Sequence, residues 1–237
     1  MFKRGWRELQ GEAPLKETLA STLIYAAGWQ GRPEDGGLLD PTCGAGTIAI
    51  EAAQIACNIA PGSLRRFGFE KLLPFQPHVW SAIQDQAAEA EHEPETQIFG
   101  SDVAFRMVDF ATRNAERAGV TGVVEFRGGD ALQRMPPAAS GLMLLNPPYG
   151  ERIEVAGVAG RREAAQTEDG GSDFFQQLAT HWKRNYAGWT GWILTPDLKL
   201  PGKMRLKESR RVPMWNGPIE CRLFRFDMVA GSARQKP

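Results

Sequence analysis

The stretch from residue 37 to residue 59 constrains the fold most, because a short apolar strand, a glycine turn and an alanine-rich helix follow one another there. The strand Gly37–Asp40 leads into the turn Asp40–Thr47, whose glycines are Gly44 and Gly46, and the helix is predicted over Thr47–Ile59. A strand that enters a helix through such a turn is typical of the β-α-β unit, whose two strands pair in parallel. The segment therefore predicts an open α/β sheet.

The rest of the chain continues this alternation. Further strands are predicted at 97–102, 123–127, 142–145 and 189–194, and further helices at 14–27, 105–118 and 173–186. Residues 211–215 and 220–226, joined through Asn216-Gly217, predict a closing β-hairpin. Together these elements predict a doubly wound, seven-stranded and mostly parallel sheet with an antiparallel edge at the C-terminal hairpin.

A length of 237 residues suits one α/β domain with an insertion. We interpret 1–237 as a single domain, with an N-terminal helical segment at 1–35 and an insertion at 60–96 after the first helix. The insertion is too short to build its own core. Residues 156–171 are polar and glycine-rich, which favours a mobile surface loop.

Composition excludes several classes of protein. No apolar run approaches the ~20 residues that span a bilayer, and no apolar stretch follows the start, so neither a membrane protein nor a signal peptide is expected. The three cysteines are odd in number and widely spaced, which fits no disulfide framework and no metal site, and indicates a reducing cytoplasm.

The formal net charge of zero argues against a chain that holds nucleic acid by bulk charge, although local basic patches remain possible. The insertion carries Arg65-Arg66, and Arg161-Arg162 follows the fourth strand as a candidate lid or a plain solvent loop. A larger basic cluster, opposed only by Glu208 in its own stretch, comprises Lys199, Lys203, Arg205, Lys207, Arg210 and Arg211.

Polar residues follow the ends of four successive predicted strands. Asp40 ends the first strand, Asp102 the second, Asp130 follows the third and Asn146 the fourth. Ligands of open α/β sheets bind at the carboxyl ends of the strands. A carboxylate at Asp102 could hold both hydroxyls of a ribose, and Asp130 could accept an adenine amine.

The glycine turn alone does not identify the ligand. Gly44-Ala45-Gly46 with Ala49 in the third position still satisfies the dinucleotide fingerprint, so an NAD-dependent oxidoreductase stays open. Each residue also has a purely structural interpretation: the glycines as a tight turn, Asp102 as a helix cap and Asp130 as a turn residue. The conjunction of all of them at four strand ends is much less expected by chance than any one.

The segment Asn146-Pro147-Pro148-Tyr149-Gly150 directly follows the apolar strand 142–145. Two consecutive prolines fix φ and remove two backbone donors, which leaves carbonyl oxygens facing any ligand. The Asn146 amide oxygen and a free carbonyl can accept the two N–H bonds of an exocyclic amine, and Tyr149 can stack on the planar base, unless its ring belongs to the core. The segment thus favours chemistry on a base amine.

At this point the chain resembles the catalytic domain of THUMP-associated RNA guanine-N2 methyltransferases, and most of all the bacterial members that modify 23S ribosomal RNA. The resemblance spans nearly the whole chain. It rests on Lys3-Arg4-Gly5-Trp6-Arg7, the block 13–19, Leu39 to Thr47, Pro61-Gly62, Asn146 to Gly150, and Trp215-Asn216-Gly217 with Glu220-Cys221-Arg222-Leu223. Family members usually carry a THUMP domain ahead of these blocks, whereas here the first block stands at the start, so no THUMP domain is expected.

The resemblance implies a Rossmann-like class I methyltransferase fold and S-adenosylmethionine as cofactor. Its methionine end would be lined by Asp40, Thr42, Gly44 and Gly46, and covered by Lys16 and Thr18, although Lys16 also fits an exposed helix face. Asp102 and Asp130 would hold the ribose and adenine. Asn146, Pro147, Pro148 and Tyr149 would hold a guanine of RNA that is unpaired or flipped out.

Other interpretations stay open on the residues. The Asn-Pro-Pro-Tyr block is shared with methyltransferases of adenine N6 and glutamine N5, so DNA adenine, protein glutamine or a guanine of tRNA are alternative substrates. An inert cofactor-binding module for RNA or a protein partner is a further alternative.

Overall fold

The computed structural model describes residues 3–11, 14–147, 154–156, 162–164 and 170–229. The helices are α1 (Glu17–Ala27), α2 (Thr47–Ala56), α3 (Pro77–Glu89), α4 (Phe105–Arg117), α5 (Gly170–Asn185) and α6 (Leu200–Met204). The strands are β1 (Gly37–Asp40), β2 (Ile98–Asp102), β3 (Val124–Gly128), β4 (Gly141–Leu145), β5 (Glu154–Ala156), β6 (Arg162–Ala164), β7 (Trp189–Thr195), β8 (Arg210–Asn216) and β9 (Ile219–Asp227).

The main sheet has seven strands in the order β3-β2-β1-β4-β7-β9-β8, which confirms the predicted α/β fold. The first five pair in parallel, and β9 pairs antiparallel with both of its neighbours. The second strand of the hairpin is therefore inserted inside the sheet, and β8 forms the edge. The cause is composition, since β9 buries Cys221, Leu223, Phe224 and Phe226 whereas most of β8 is exposed.

Two apolar layers cover the faces of this sheet. One layer contains α1, α2 and α4 and buries Leu23, Ile48 and Trp192. The other contains α5 and α6 and buries Trp182 and Leu200. Because both faces of β1 are covered, all of its residues are buried, as is typical of a central parallel strand.

The insertion between α2 and β2 holds a short 3-10 turn, Gly68–Lys71, and α3. Its aromatic rings contact one another: Phe67 and Phe69 stack at 5.3 Å between centroids, and Trp80 meets Phe69 edge-on at 5.0 Å. No residue of α3 is buried. The insertion thus packs mainly on itself.

Several predicted boundaries differ from the structure. Helix α1 begins at Glu17 and not at Pro14, and α2 ends at Ala56 because Asn58 adopts a left-handed φ of 55°. Within 156–171, where we predicted a loop, the backbone pairs β5 with β6 and α5 already begins at Gly170. Backbone pairing of this kind needs no alternating apolar side chains, so the sequence pattern does not indicate it.

Candidate active site

The sheet order β3-β2-β1-β4 makes the four polar strand ends neighbours. Leu39 on β1 pairs with Phe99 on one side and with Met143 on the other. Asp40, Asp102 and Asn146 therefore leave the sheet at the same edge, on three adjacent strands. Asp130 follows β3, the next strand along, by two residues.

The glycine turn between β1 and α2 depends on its two glycines for different reasons. Both adopt left-handed φ values, 52° at Gly44 and 86° at Gly46. A Cβ at Gly46 would lie 2.9 Å from the Cβ of Ala111 and 3.0 Å from the ring of Phe126, so α4 and β3 require a glycine there. A Cβ at Gly44 would meet no atom of the described residues within 4 Å. Among these residues, Gly44 therefore faces open space.

Asp102 joins this turn to β2. Its Oδ2 accepts the Gly44 N–H at 2.9 Å, and its Oδ1 accepts the Ala104 N–H at 2.9 Å. Burial nevertheless raises the pKa of the Asp102 carboxyl. The N-cap of α4 is Ala104, so Asp102 is not the helix cap that a structural interpretation predicted; its carboxylate forms a turn just before α4 and also fixes the glycine turn.

Asp40 is 2% exposed, and its Oδ1 accepts the Thr42 N–H at 3.1 Å. Burial raises the pKa of this carboxyl to about 8, and the charge of nearby Asp102 acts in the same direction. The same two carboxylates add to the effect of burial in raising the pKa of the Cys43 thiol. Two acids whose ionised forms are disfavoured thus lie under the glycine turn, and a cation bound there would favour their ionisation.

Asp130 makes a tight turn after β3, because its Oδ1 accepts the Leu132 N–H at 2.8 Å. Next to Asp102, two large apolar side chains are exposed: Val103 at 46% and Phe105 at 82%. The Phe105 ring stands over Gly128, at the end of β3. Asp102 and Asp130 therefore flank an apolar surface, which sequence reasoning missed although Val103 directly follows Asp102.

Asn146 is half-buried and Pro147 is buried, directly after β4. Pro148, Tyr149 and Gly150 lie outside the described residues, so the predicted roles of Pro148 and Tyr149 stay predictions. Among the residues that the structure does describe, no cluster of His, Cys, Asp and Glu suited to a metal ion is found, and no helix has the length and apolar character to cross a bilayer.

Lys16 and Thr18 lie at the start of α1, where they line a groove with Leu19, Thr22, Trp215 and Gly217. No residue of the glycine turn belongs to that groove. The predicted contact of Lys16 and Thr18 with the cofactor therefore stays a prediction.

Sequence reasoning also missed Asn114, a fully buried residue of α4. Its Nδ2 donates to the Ala45 carbonyl of the glycine turn at 3.0 Å and to the Leu9 carbonyl at 2.8 Å. Its Oδ1 accepts from Arg117 at 2.6 Å. The side chain holds the N-terminal segment and the glycine turn together, and no local sequence signal marks a contact over 105 residues.

Arg7 performs a similar function at the start of α2. It donates to the Thr47 hydroxyl and to the Leu15 carbonyl, both at 2.7 Å, and pairs with buried Glu17 at 3.5 Å. From the sequence, the block at residues 3–7 indicated only the family resemblance. In the structure, Arg7 of this block connects α1 with α2, the helix that follows the glycine turn.

Several residues of the predicted basic regions make hydrogen bonds or ion pairs within the protein. Arg65 donates to the Lys3 carbonyl and lies over the Phe67 ring. In the larger cluster, Lys203 pairs with Asp197 and Arg211 with Glu208, so Glu208 is not its only acidic neighbour. Arg161 and the side chain of Arg162 lie outside what the structure describes.

The comparison with known proteins decides the family. Residues 4–225 match the family described as "RMKL-like, methyltransferase domain". The chain belongs to that family. Its cofactor is therefore S-adenosylmethionine, and the NAD alternative is wrong.

Curated relatives in Shewanella carry the name ribosomal RNA large subunit methyltransferase K/L. The protein of Shewanella baltica OS185 is 40% identical over 240 residues, which is 99% of this chain and 32% of the relative. That of Shewanella amazonensis is 38% identical over 241 residues, with the same coverage. The chain thus spans about a third of the length of these relatives.

Solved structures are also similar to this chain. The methyltransferase SMU.472, solved in complex with SAH, has a TM-score of 0.83 at 30% identity, over 98% of this chain and 56% of that one. A methylase from Clostridium difficile 630 has a TM-score of 0.82 at 32% identity, over 98% and 57%. An RNA methyltransferase from Salinibacter ruber shares the fold, with a TM-score of 0.54 at 15% identity over 94% of this chain and 99% of that one.

Proposed function

We propose that this domain transfers the methyl group of S-adenosylmethionine to the N2 amine of a guanine in RNA, in large-subunit ribosomal RNA in particular. One observation carries the proposal: Asn146 leaves the sheet on the strand next to Asp40, at the edge where the Asp40 and Asp102 carboxyls lie close together. The names of the relatives, which speak of ribosomal RNA, support the choice of substrate.

The residues at this edge fit the cofactor. A sulfonium cation is favoured beside the buried Asp40 and Asp102 carboxyls. The open space at Gly44 leaves room for a ligand against the backbone of the turn. Asp102 would hold the ribose hydroxyls through the acceptor capacity that remains beside its two backbone bonds.

The adenine would lie against Val103 and Phe105, which are exposed next to Asp102. Asp130 would accept the adenine amine, since only one of its two carboxylate oxygens, Oδ1, accepts a hydrogen bond from the described residues. Apolar walls with a few placed polar groups are usual for sites of this type.

When bound, S-adenosylmethionine supplies an electrophilic methyl group. The task of the protein is to orient the guanine amine, whose lone pair is delocalised into the ring. The Asn146 side-chain oxygen and the Pro147 carbonyl would accept the two amine N–H bonds, which strengthen as positive charge develops on nitrogen. The N–C bond forms as the S–C bond breaks, and the surplus proton leaves to water, because an amide oxygen is too weak a base to keep it.

Positioning of this kind can lower the barrier by roughly 7–11 kcal/mol. The target base must be unpaired or flipped out, which costs a few kcal/mol. Tyr149 is the candidate to stack on it, as the sequence predicted.

The test is nucleoside analysis by mass spectrometry. The protein is incubated with S-adenosylmethionine bearing a labelled methyl group and, in parallel, with large-subunit ribosomal RNA, tRNA, DNA and protein. We expect label in N2-methylguanosine from the ribosomal RNA. Label in N6-methyladenine or N5-methylglutamine would replace guanine by another amine, and binding of the cofactor without any transfer would leave only an inert module.

A further inference from the structure

A groove of about 340 Å³ lies between α1 and the β8–β9 hairpin, open to solvent. Its lining consists of Lys16, Thr18, Leu19, Thr22, Trp215 and Gly217. We name it the Trp215 groove. One cation, two hydroxyls and one indole line it, and none of the six residues is acidic. A volume of this size is at the lower end of small-molecule sites, which start at about 300 Å³.

Trp215 itself is unusual for this chain. Of the seven tryptophans, all of which lie in the described residues, five are at most 2% exposed and Trp80 is half-buried, whereas Trp215 is 59% exposed. An indole left in water on an edge strand contributes little to folding. Exposed aromatic rings beside hydroxyls and a cation are the usual platform for unpaired nucleic-acid bases.

The register of the sheet places the groove relative to the reactive turn. Because β9 is antiparallel to both neighbours, β8 runs in the same direction as β4. The carboxyl ends of β8 and β4 therefore lie on the same side of the sheet. The pairing across β7 and β9 aligns Leu145 of β4 with Arg211 of β8. Trp215 therefore lies three residues further along the strand direction than Asn146. With three strand spacings between β4 and β8, the two residues are roughly 17 Å apart.

That separation is too large for one base to touch both residues. It matches a few nucleotides of single-stranded RNA that runs along the edge of the sheet. We propose that the Trp215 groove binds a second, unpaired nucleotide of the RNA substrate, with its base stacked on Trp215 and its sugar-phosphate near Lys16, Thr18 and Thr22. This inference rests on the proposed function, since it assumes that RNA reaches Asn146.

Base–aromatic stacking contributes about 1–3 kcal/mol per base, which corresponds to roughly 5- to 150-fold in affinity. The groove would therefore select substrates with a second unpaired base close to the target guanine. The groove would also allow a domain of zero net charge to bind RNA through a contact that depends little on charge.

The test uses the variants Trp215→Ala and Trp215→Phe. Tyr25→Ala is the control, because Tyr25 is 82% exposed on α1 but lies outside the groove. Binding of an end-labelled, unstructured RNA oligonucleotide is measured by fluorescence anisotropy in the presence of S-adenosylhomocysteine. We expect a 5- to 150-fold loss of RNA affinity for Trp215→Ala, near wild-type binding for Trp215→Phe and Tyr25→Ala, and unchanged affinity for S-adenosylhomocysteine in all three.

Unchanged RNA affinity in Trp215→Ala would overturn the inference. So would a matching loss of affinity for S-adenosylhomocysteine, because the groove would then belong to the cofactor, as the sequence predicted for Lys16 and Thr18. The proposed function fails separately, when the wild-type protein transfers no methyl group to guanine in RNA. If the wild-type protein methylates guanine and Trp215→Ala keeps its KM for RNA, only the groove assignment is wrong.

Discussion

The Asp102 carboxylate accepts the backbone N–H of Gly44 at 2.9 Å, and this bond ties the end of β2 to the glycine turn after β1. One side chain therefore shapes the turn, and in the proposed cofactor site it would also offer its remaining acceptor capacity to the ribose. Variants of Asp102 are therefore expected to affect both the turn and cofactor binding.

Asp102→Asn should weaken binding of S-adenosylhomocysteine about 10- to 100-fold, because hydrogen bonds to a charged group contribute about 1.5–3 kcal/mol. Isothermal titration calorimetry measures the change. The control is Asp109→Asn, which removes an exposed acid of α4 that pairs with Arg113. Equal affinities in both variants would remove Asp102 from the cofactor site.

The two glycines of the turn should respond differently to alanine. Gly46→Ala must displace Ala111 or Phe126 and should lower the free energy of unfolding by about 2 kcal/mol or more. Gly44→Ala meets no neighbour among the residues that the structure describes, so its stability loss should be limited to the left-handed φ, about 1–2 kcal/mol. Its methyl group would instead enter the open space, so cofactor affinity should fall. Urea unfolding and calorimetry together distinguish the two effects.

Asp40→Asn should stabilise the fold increasingly as the pH rises. The folded-state pKa of about 8 lies above the ordinary aspartate value of 3.8, so the folded protein keeps a proton that the unfolded chain has released. In the wild type, this group therefore lowers stability as the pH rises from about 4 to about 8. Asparagine removes that loss and still accepts the Thr42 N–H. Thermal unfolding at pH 5, 6.5 and 8 measures the difference, and a gain that does not grow with pH would contradict the raised pKa.

Asn114→Leu should destabilise the protein and loosen the cofactor site together. It leaves the buried Ala45 carbonyl without its side-chain donor, at a cost of about 1–3 kcal/mol, and also removes the bond to the half-buried Leu9 carbonyl. Cofactor affinity should fall as well, since Ala45 lies between the two glycines. Asn114→Asp keeps the acceptor for Arg117 but loses both donations. If the aspartate variant matched the wild type in cofactor affinity, the bond to Ala45 would not position the turn.

Asn146→Ala should reduce turnover about 100- to 1,000-fold, the usual effect of losing one placed hydrogen-bond partner of the transition state. Affinity for S-adenosylhomocysteine should stay within a few-fold. Asn185→Ala is a suitable control, because both side-chain hydrogen bonds of Asn185 to the described residues go to His181 within α5. Single-turnover methylation of RNA measures the rate, and unimpaired transfer would exclude Asn146 from the chemistry.

The sequence by itself determined the order of the seven main-sheet strands and the position of polar residues at the strand ends, although not β5, β6 or α6. Apolar periodicity and turn residues are local signals, so β1, the glycine turn, Asp102, Asp130 and Asn146 could all be located without coordinates. The family resemblance added the cofactor, which the glycine pattern alone left undecided between S-adenosylmethionine and NAD.

Only the tertiary structure decided which strand of the hairpin enters the sheet, that Asn114 holds Ala45 and Leu9, and that the carboxyl of Asp40 is buried deeply enough for its pKa to reach about 8. These features depend on contacts between residues far apart in the chain, whose free energies come from shared burial and from pairing of buried polar groups. A local sequence pattern does not identify the distant residue that a side chain will contact, so these contacts can be seen only in the folded structure.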